Sequence, residues 1–299
     1  MRISERQRYD VAANRMNKAR EDNVGMLDML STQKKINAVS DDPVSAARVI
    51  QERGRLKNLE QYQKNILYSR GYLERTESAI SGIHDGLIRA KELAIAMSND
   101  TYDYDSRDAA AREIKEVIDG IVSLGNTTYG NRYVFGGFRT QTPPLSSDGK
   151  YGGDDGAIFL QIDENLFRQI NVQARQLFEA SEEELQGGHF NMVHTLNTLF
   201  EGLKSDDKEM IRSSLEELDF QMSKSSSYQA TLGSIQNALD SAGQRVELTD
   251  EMSREAVSVL EDADSYKSIS DFNRTETVLQ STLMASNKLL QPSLLNFLQ

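Results

Sequence analysis

Residue types alone offer this chain a few places to do chemistry. The stretch Gly149-Lys150-Tyr151-Gly152-Gly153-Asp154-Asp155-Gly156 has the glycines and the lysine of a phosphate loop. It lacks the Gly-x-x-x-x-Gly-Lys-Ser/Thr spacing and the strand-to-helix setting that aim backbone N–H groups at a phosphate. It reads as turns between strands. Asp100, Asp103, Asp105 and Asp108 have the composition of a calcium loop, but neither the turn glycine nor the bidentate glutamate falls where that loop needs it. They read as helix ends and caps. The histidines are His84, His189 and His194, and the last two stand five apart, off the four-residue spacing that shares a helix face. With no cysteine and no Gly-x-Ser-x-Gly elbow, no activated nucleophile is on offer. No catalytic residue, metal site or cofactor is expected, so the chain is read as a non-enzymatic protein.

The helical elements carry more information. Leu59, Ile66, Leu73, Ile80 and Leu87 recur every seventh residue, the spacing that keeps one stripe facing a partner helix. A second seven-residue series, Leu283, Leu290 and Phe297, closes the chain beside Leu294, Leu295 and Leu298. Burying each such side chain contributes roughly 1.5–3 kcal/mol, so some partner must cover them. This points to assembly.

Composition agrees. A chain of 299 residues with 38% apolar residues and no Trp has little material for a compact core, and an elongated bundle needs less. Without cysteine, a disulfide framework and a thiolate metal site are excluded. No run of about 18 apolar residues exists to insert in a membrane. The start Met1-Arg2-Ile3-Ser4-Glu5-Arg6 has no apolar stretch behind it, so no cleavable signal peptide is expected. A net charge of −12 argues against a general nucleic-acid binder. Residues 1–70 carry fourteen Lys/Arg against nine Asp/Glu, and residues 240–299 carry five against ten. Ends of opposite sign can attract, although exposed pairs give only about 0–1 kcal/mol each.

Along the chain, residues 1–38 show a weak helical pattern that would fray without a partner. Asp42 can cap a helix that Pro43 opens, and this helix should run to about residue 98. Asp105-Ser106 can cap another through Leu124, and Gly125-Asn126 suits a left-handed helix terminus. Tyr129 to Thr140 is a Gly-punctuated aromatic stretch resembling a hairpin. Turn residues dominate 141–156, and residues 157–162 and 169–172 read as short strands. Helical pattern resumes near His189, restarts near Asp206 with a possible bend at Ser223–Ser227, and ends in a helix over about 265–290.

These landmarks resemble the flagellin family, and within it the hook-associated junction branch. The matching residues are Arg2-Ile3-Ser4, Leu30-Ser31, Gln33-Lys34-Lys35-Ile36, Ser40-Asp41-Asp42-Pro43, Asn65-Ile66 and Arg89-Ala90-Lys91-Glu92-Leu93-Ala94. The stretch Tyr129-Gly130-Asn131-Arg132-Tyr133-Val134-Phe135-Gly136-Gly137 and the tail Gln291-Pro292-Ser293-Leu294-Leu295-Asn296-Phe297-Leu298 fit that branch better than filament flagellins. One departure is Gln33, where flagellins usually have Gly before the first Lys. The resemblance implies export through the flagellar type III channel, escorted by a cytoplasmic chaperone, and folding at the growing tip. It implies a ring of copies between a hook-side junction protein and flagellin, outside the cell. It also implies terminal segments that are disordered in the monomer and coiled-coil in the assembly.

The expected fold is mainly α: an elongated antiparallel helical bundle or coiled-coil rod, built by the N- and C-terminal halves, with a small β-rich insert at its tip. Residues 1–40 and 265–299 are expected to be the assembly segments, 41–140 and 181–264 the helical rod, and 141–180 the β insert. Subunit contacts are assigned to Arg2, Ile3, Leu30, Ile36, Asp41, Asp42, Pro43, Leu283, Leu290, Leu294, Leu295 and Leu298. Leu59, Ile66, Leu73, Ile80 and Leu87 are assigned to the rod core. The alternatives are a minor flagellin and, from another class, a secreted coiled-coil effector or adhesin.

Overall fold

The structure, a computed structural model, describes residues 2–98 and 103–290. Its helices are α1 (Arg2–Thr32), α2 (Pro43–Met97), α3 (Tyr104–Gly125), α4 (Arg175–Phe178), α5 (Glu182–Gln186), α6 (Met192–Ser205), α7 (Lys208–Glu261) and α8 (Ser265–Leu290). Two small antiparallel sheets are formed by β1 (Thr128–Tyr129) with β2 (Arg132–Tyr133), and by β3 (Phe159–Asp163) with β4 (Leu166–Gln169). The fold is therefore mainly α, with long helices and small β pieces. It comprises two compact units. One joins Met1–Asn58 with Leu248–Gln299, and the other is Leu59–Glu247.

The Leu59–Glu247 unit has a dry core. Leu59 and Ile66 are nearly covered, and Leu73, Ile80 and Leu87 are fully buried. The α2 stripe faces α7 in antiparallel register: Arg70 pairs with Asp240 at 2.5 Å, Gln236 donates to Glu77 at 2.7 Å, and Lys91 pairs with Asp219. Glycines let α3 come close. A Cβ on Gly82 would stand 2.9 Å from Leu124, and one on Gly86 would touch Ile121 and Val117. α3 and α6 bury Ile114, Ile118, Ile121, Leu196, Leu199 and Leu203 in the same core.

Helix ends follow local chemistry. Asp103, rather than Asp105, caps α3 by accepting the Ser106 N–H at 3.0 Å. The expected left-handed terminus after α3 is not formed, since Asn126 has φ −98°. Asn126 stops the helix differently: its amide donates to the Leu145 carbonyl at 2.8 Å and accepts the Leu145 N–H at 2.9 Å. Gly125 is there for space, because a Cβ would lie 2.1 Å from Leu145. Asp206, at φ 58°, ends α6, and Asp207 caps α7 through the Glu209 and Met210 N–H groups. α7 runs unbroken through Ser223–Ser227.

The β segments are fastened onto these helices. Gly130 and Asn131 both take positive φ, 54° and 62°, which closes the β1–β2 hairpin with a primed two-residue turn. Tyr72 donates to the Val134 carbonyl at 2.7 Å, and Tyr151 donates to the Phe135 carbonyl at 2.7 Å. The rings of Phe135 and Phe178 meet edge to face, 5.6 Å apart. The second strand of the other hairpin lies at 166–169 rather than 169–172. Asn165, at φ 64°, turns the chain immediately after Asp163, which sets Leu166 opposite it. The turn residues Glu164-Asn165 inside an apolar stretch decide this register.

Leu87→Ala is expected to cost about 2–5 kcal/mol in urea unfolding, whereas Leu67→Ala, at a 67% exposed position, should stay within about 0.5 kcal/mol. Burial raises the phenols of Tyr72 and Tyr151 above their usual value and pushes Tyr228 up to about 12. The unfolded chain would lose these protons near pH 10 while the folded chain keeps them. Their contribution to stability should therefore be constant from neutral pH up to about 10 and fall as pH rises from there toward 12, which urea melts across that window would read.

Candidate assembly surface

The unit joining the two chain ends is built on a thin seam. α1 and α8 run antiparallel: Asn23 reaches Thr275 at 3.5 Å, and a groove of about 920 Å³ runs between Val11, Ala12 and Ala19 on one side and Val278, Thr282 and Ala285 on the other. The side chains buried in this pair are small: Ala12, Ala19, Ser268 and Ser286. Several large apolar ones stay exposed, with Val24 at 49% exposure, Leu27 at 49%, Tyr266 at 90% and Met284 at 67%, while Met16, Met26, Met29, Leu30, Phe272 and Leu279 are half-buried. Small residues bring two helices close but bury little area. A row of large apolar side chains on each helix is left facing water.

At one end of the pair sits a polar clasp. The Glu261 carboxylate, 8% exposed, receives Lys34 Nζ at 2.8 Å and the Arg53 guanidinium at 2.7 Å. The same stretch is bonded through backbone: the Lys35 N–H donates to the Glu261 carbonyl at 2.8 Å, and the Ala263 N–H donates to the Gln33 carbonyl at 2.9 Å. Lys35 Nζ adds a bond to the Val259 carbonyl at 2.6 Å. Gln33 holds φ 56° and so turns the chain out of α1. The position where flagellins usually carry Gly keeps the left-handed conformation that Gly would supply at no steric cost.

The Asp41-Asp42-Pro43 motif finishes this loop. Asp41 accepts the Ala38 and Asn37 N–H groups at 2.8 and 3.0 Å, and these bonds hold its carboxyl below the usual range. Asp42 caps α2 by accepting the Val44 and Ser45 N–H groups, both at 3.1 Å, and its carboxyl is lowered chiefly by Ser45. Pro43 occupies the first helical position, where its missing N–H costs nothing.

The structure brings some of the sequence-assigned contact residues together at this surface and leaves others apart. Leu30 and Ile36 are half-buried, and Asp41, Pro43 and Leu283 are exposed. Arg2 and Ile3 begin α1, and Leu290 ends α8. Leu294, Leu295 and Leu298 lie outside the described residues. The compact units divide at residues 58/59 and 247/248, inside α2 and α7, and the clasp joins Lys34, Arg53 and Glu261 within one of them. Sequence reasoning missed the clasp. Arg53 and Glu261 stand 208 residues apart, and nothing local marks either one. Two of the histidines serve packing: His189 stacks on Phe220 at 3.7 Å with Nδ1 2.9 Å from Glu217, and His194 lies against Phe190. No helix among the described residues is long and apolar enough to cross a membrane.

Two family models match these ends: the bacterial flagellin N-terminal helical region over residues 3–140, and the bacterial flagellin C-terminal helical region over residues 215–298. The chain belongs to the flagellin family. As such it is a structural component of the bacterial flagellum, an extracellular appendage. It is 28% identical over 280 residues to the flagellar hook-associated protein 3 of Escherichia coli, covering 86% of this chain and 87% of that one. It is 24% identical over 273 residues to a flagellar filament core protein of Treponema maltophilum, covering 91% and 90%. The fold is similar to a solved putative flagellar hook-associated protein of Vibrio parahaemolyticus, with a TM-score of 0.67 at 19% identity, over 74% of this chain and 99% of that one. It is also similar to Bacillus cereus FlgL, at 0.60 and 22% identity, over 70% and 99%.

Glu261→Ala should loosen the clasp, leaving Lys34 and Arg53 without their acceptor. The cost is about 1.5–3 kcal/mol for a hydrogen bond to a charged group. Hydrogen exchange should rise first in residues 33–42 and 259–264, while the Leu59–Glu247 unit stays protected. Exchange unchanged in both segments would show that the backbone bonds alone hold the loop.

Proposed function

We propose that this chain forms the junction between hook and filament, as a ring of copies with a hook-side junction protein below it and flagellin above. The observation that carries this reading is the outward-facing apolar surface of α1 and α8, which one copy cannot cover. Neighbouring copies would bury it, through apolar contact first and opposite charge second. The similarity to a hook-associated protein over 86% of this chain supports the junction in particular. Arg2, Ile3, Leu30, Ile36, Leu283, Leu290, Leu294, Leu295 and Leu298 would supply the seam, with Asp41, Asp42 and Pro43 fixing the loop that aims α1 at it. The stripe from Leu59 to Leu87 would keep each subunit rigid while the seam forms. A cytoplasmic chaperone would cover the apolar C-terminal region before export, and no catalysis is involved.

A second reading, a filament subunit, draws on the comparable similarity to the Treponema filament core protein and to Bacillus subtilis flagellin, which is 25% identical over 264 residues. The two readings part on deletion of the gene. Bare hooks with flagellin released into the medium would establish the junction, whereas filaments that are normal or merely shortened would move the chain into the filament.

The seam is tested by Leu283→Asp, at a position 43% exposed in the single chain. Helix content by circular dichroism should be unchanged and incorporation into the flagellum lost. Normal incorporation would remove α8 from the seam.

A further inference from the structure

The aromatic stretch after α3 leaves one residue unexplained by the core. Val134 and Phe135 are buried, but Phe138 is 67% exposed, and it is held there rigidly. Gly137 takes φ 64°, and a Cβ on it would strike Asp154 at 2.1 Å. The Phe138 N–H donates to the Asp154 carboxylate at 2.7 Å, and the Phe138 ring lies over Gly156, where a Cβ would stand 2.4 Å from it. A large apolar ring fixed in water costs free energy with no return inside the subunit. Exposed Arg132 and Arg139 stand on the same loop; Arg139 donates to the Gly152 carbonyl at 3.4 Å and helps hold the Asp154 carboxyl low, and neither arginine forms a salt bridge among the described residues.

The same compact unit carries a surface of matching character. Leu185 at 51% exposure and Phe190 at 48% open a cavity of about 520 Å³ with Ala180 and His194. Exposed Glu182 and Glu183 stand beside it, likewise without an ion pair among the described residues. Its frame is fixed. Ser181 and Glu184 form a reciprocal capping box, Asn191 Oδ1 accepts the Ala180 N–H at 2.7 Å, and Lys224 reaches Glu184 at 2.9 Å.

We propose that the Phe138 knob of one copy docks into the Leu185–Phe190 pocket of a neighbouring copy, with Arg132 and Arg139 facing Glu182 and Glu183. An apolar knob flanked by arginines meets an apolar pocket flanked by glutamates, and both partners are set in position before they meet, which lowers the ordering cost of association. Knob and pocket are different surfaces of one chain, so the contact is heterologous and repeats from copy to copy. It rests on the assembly reading above and adds a second interface, separate from the terminal seam.

Because the chain has no cysteine, an introduced pair reports this contact alone. Flagella from cells carrying Arg139→Cys with Glu182→Cys, oxidised and run without reductant, should give a ladder of linked copies beyond the dimer. Either single variant should give no ladder. Incorporated chain without a ladder, or a link within one copy, would overturn the docking. Should the cysteine variant fail to incorporate, charge exchange decides. Glu182→Arg with Glu183→Arg should reduce incorporation several-fold, and adding Arg132→Glu with Arg139→Glu should restore it. An absent rescue would overturn the pairing. A missing ladder in flagella whose gene deletion still gives bare hooks would sink the docking and leave the junction reading standing.

Discussion

The pairing of α1 with α8 leaves several large apolar side chains of the terminal helices in water. The helices meet through Ala12, Ala19, Ser268 and Ser286, residues that permit close approach and bury little area. Leu27, Tyr266 and Met284 are left in water. At roughly 1.5–3 kcal/mol for each large side chain, this surface is a standing driving force for association. In the proposed assembly, neighbouring copies would bury this surface.

The Leu59–Glu247 unit is organised the opposite way. Its large apolar residues point inward from α2, α3, α6 and α7, and its irregular segments are tied down by buried polar bonds. Asn126 bonding reciprocally to Leu145, Tyr72 to Val134 and Tyr151 to Phe135 leave the loops little freedom. That rigidity lets the hairpin loop hold Phe138 in solvent, an arrangement a looser loop would relax by folding the ring away. The raised phenols of buried Tyr72 and Tyr151 belong to the same water-free packing.

Between the terminal helices and their neighbours in sequence stands the Glu261 clasp. A carboxylate this deeply covered needs its cations, since an unpaired charge there would be costly. Lys34 and Arg53 meet that need while remaining partly exposed, so the net gain in stability is modest and the gain in geometry is larger. The backbone bonds from Lys35 and Ala263 set the loop after α1 beside the end of α7. Asp41 and Asp42 then fold it tightly enough for Pro43 to begin the next helix.

Local rules decided much of this protein before any tertiary contact. The seven-residue stripe from Leu59 to Leu87 sets which face of α2 is buried, because period and helix geometry leave no other choice. Asp42-Pro43 sets where α2 begins, and the turn residues of 141–156 set where helix stops, because caps and turns act over three or four residues. The tertiary structure alone decided what depends on partners distant in sequence. Asn126 ends α3 through Leu145 rather than through a left-handed residue, Asn165 moves the second hairpin, and Arg53 finds Glu261 across most of the chain. The terminal surface shows both at once. Its apolar content is legible in the sequence, but that small residues are the fully buried ones and Leu27, Tyr266 and Met284 face outward is a fact of packing.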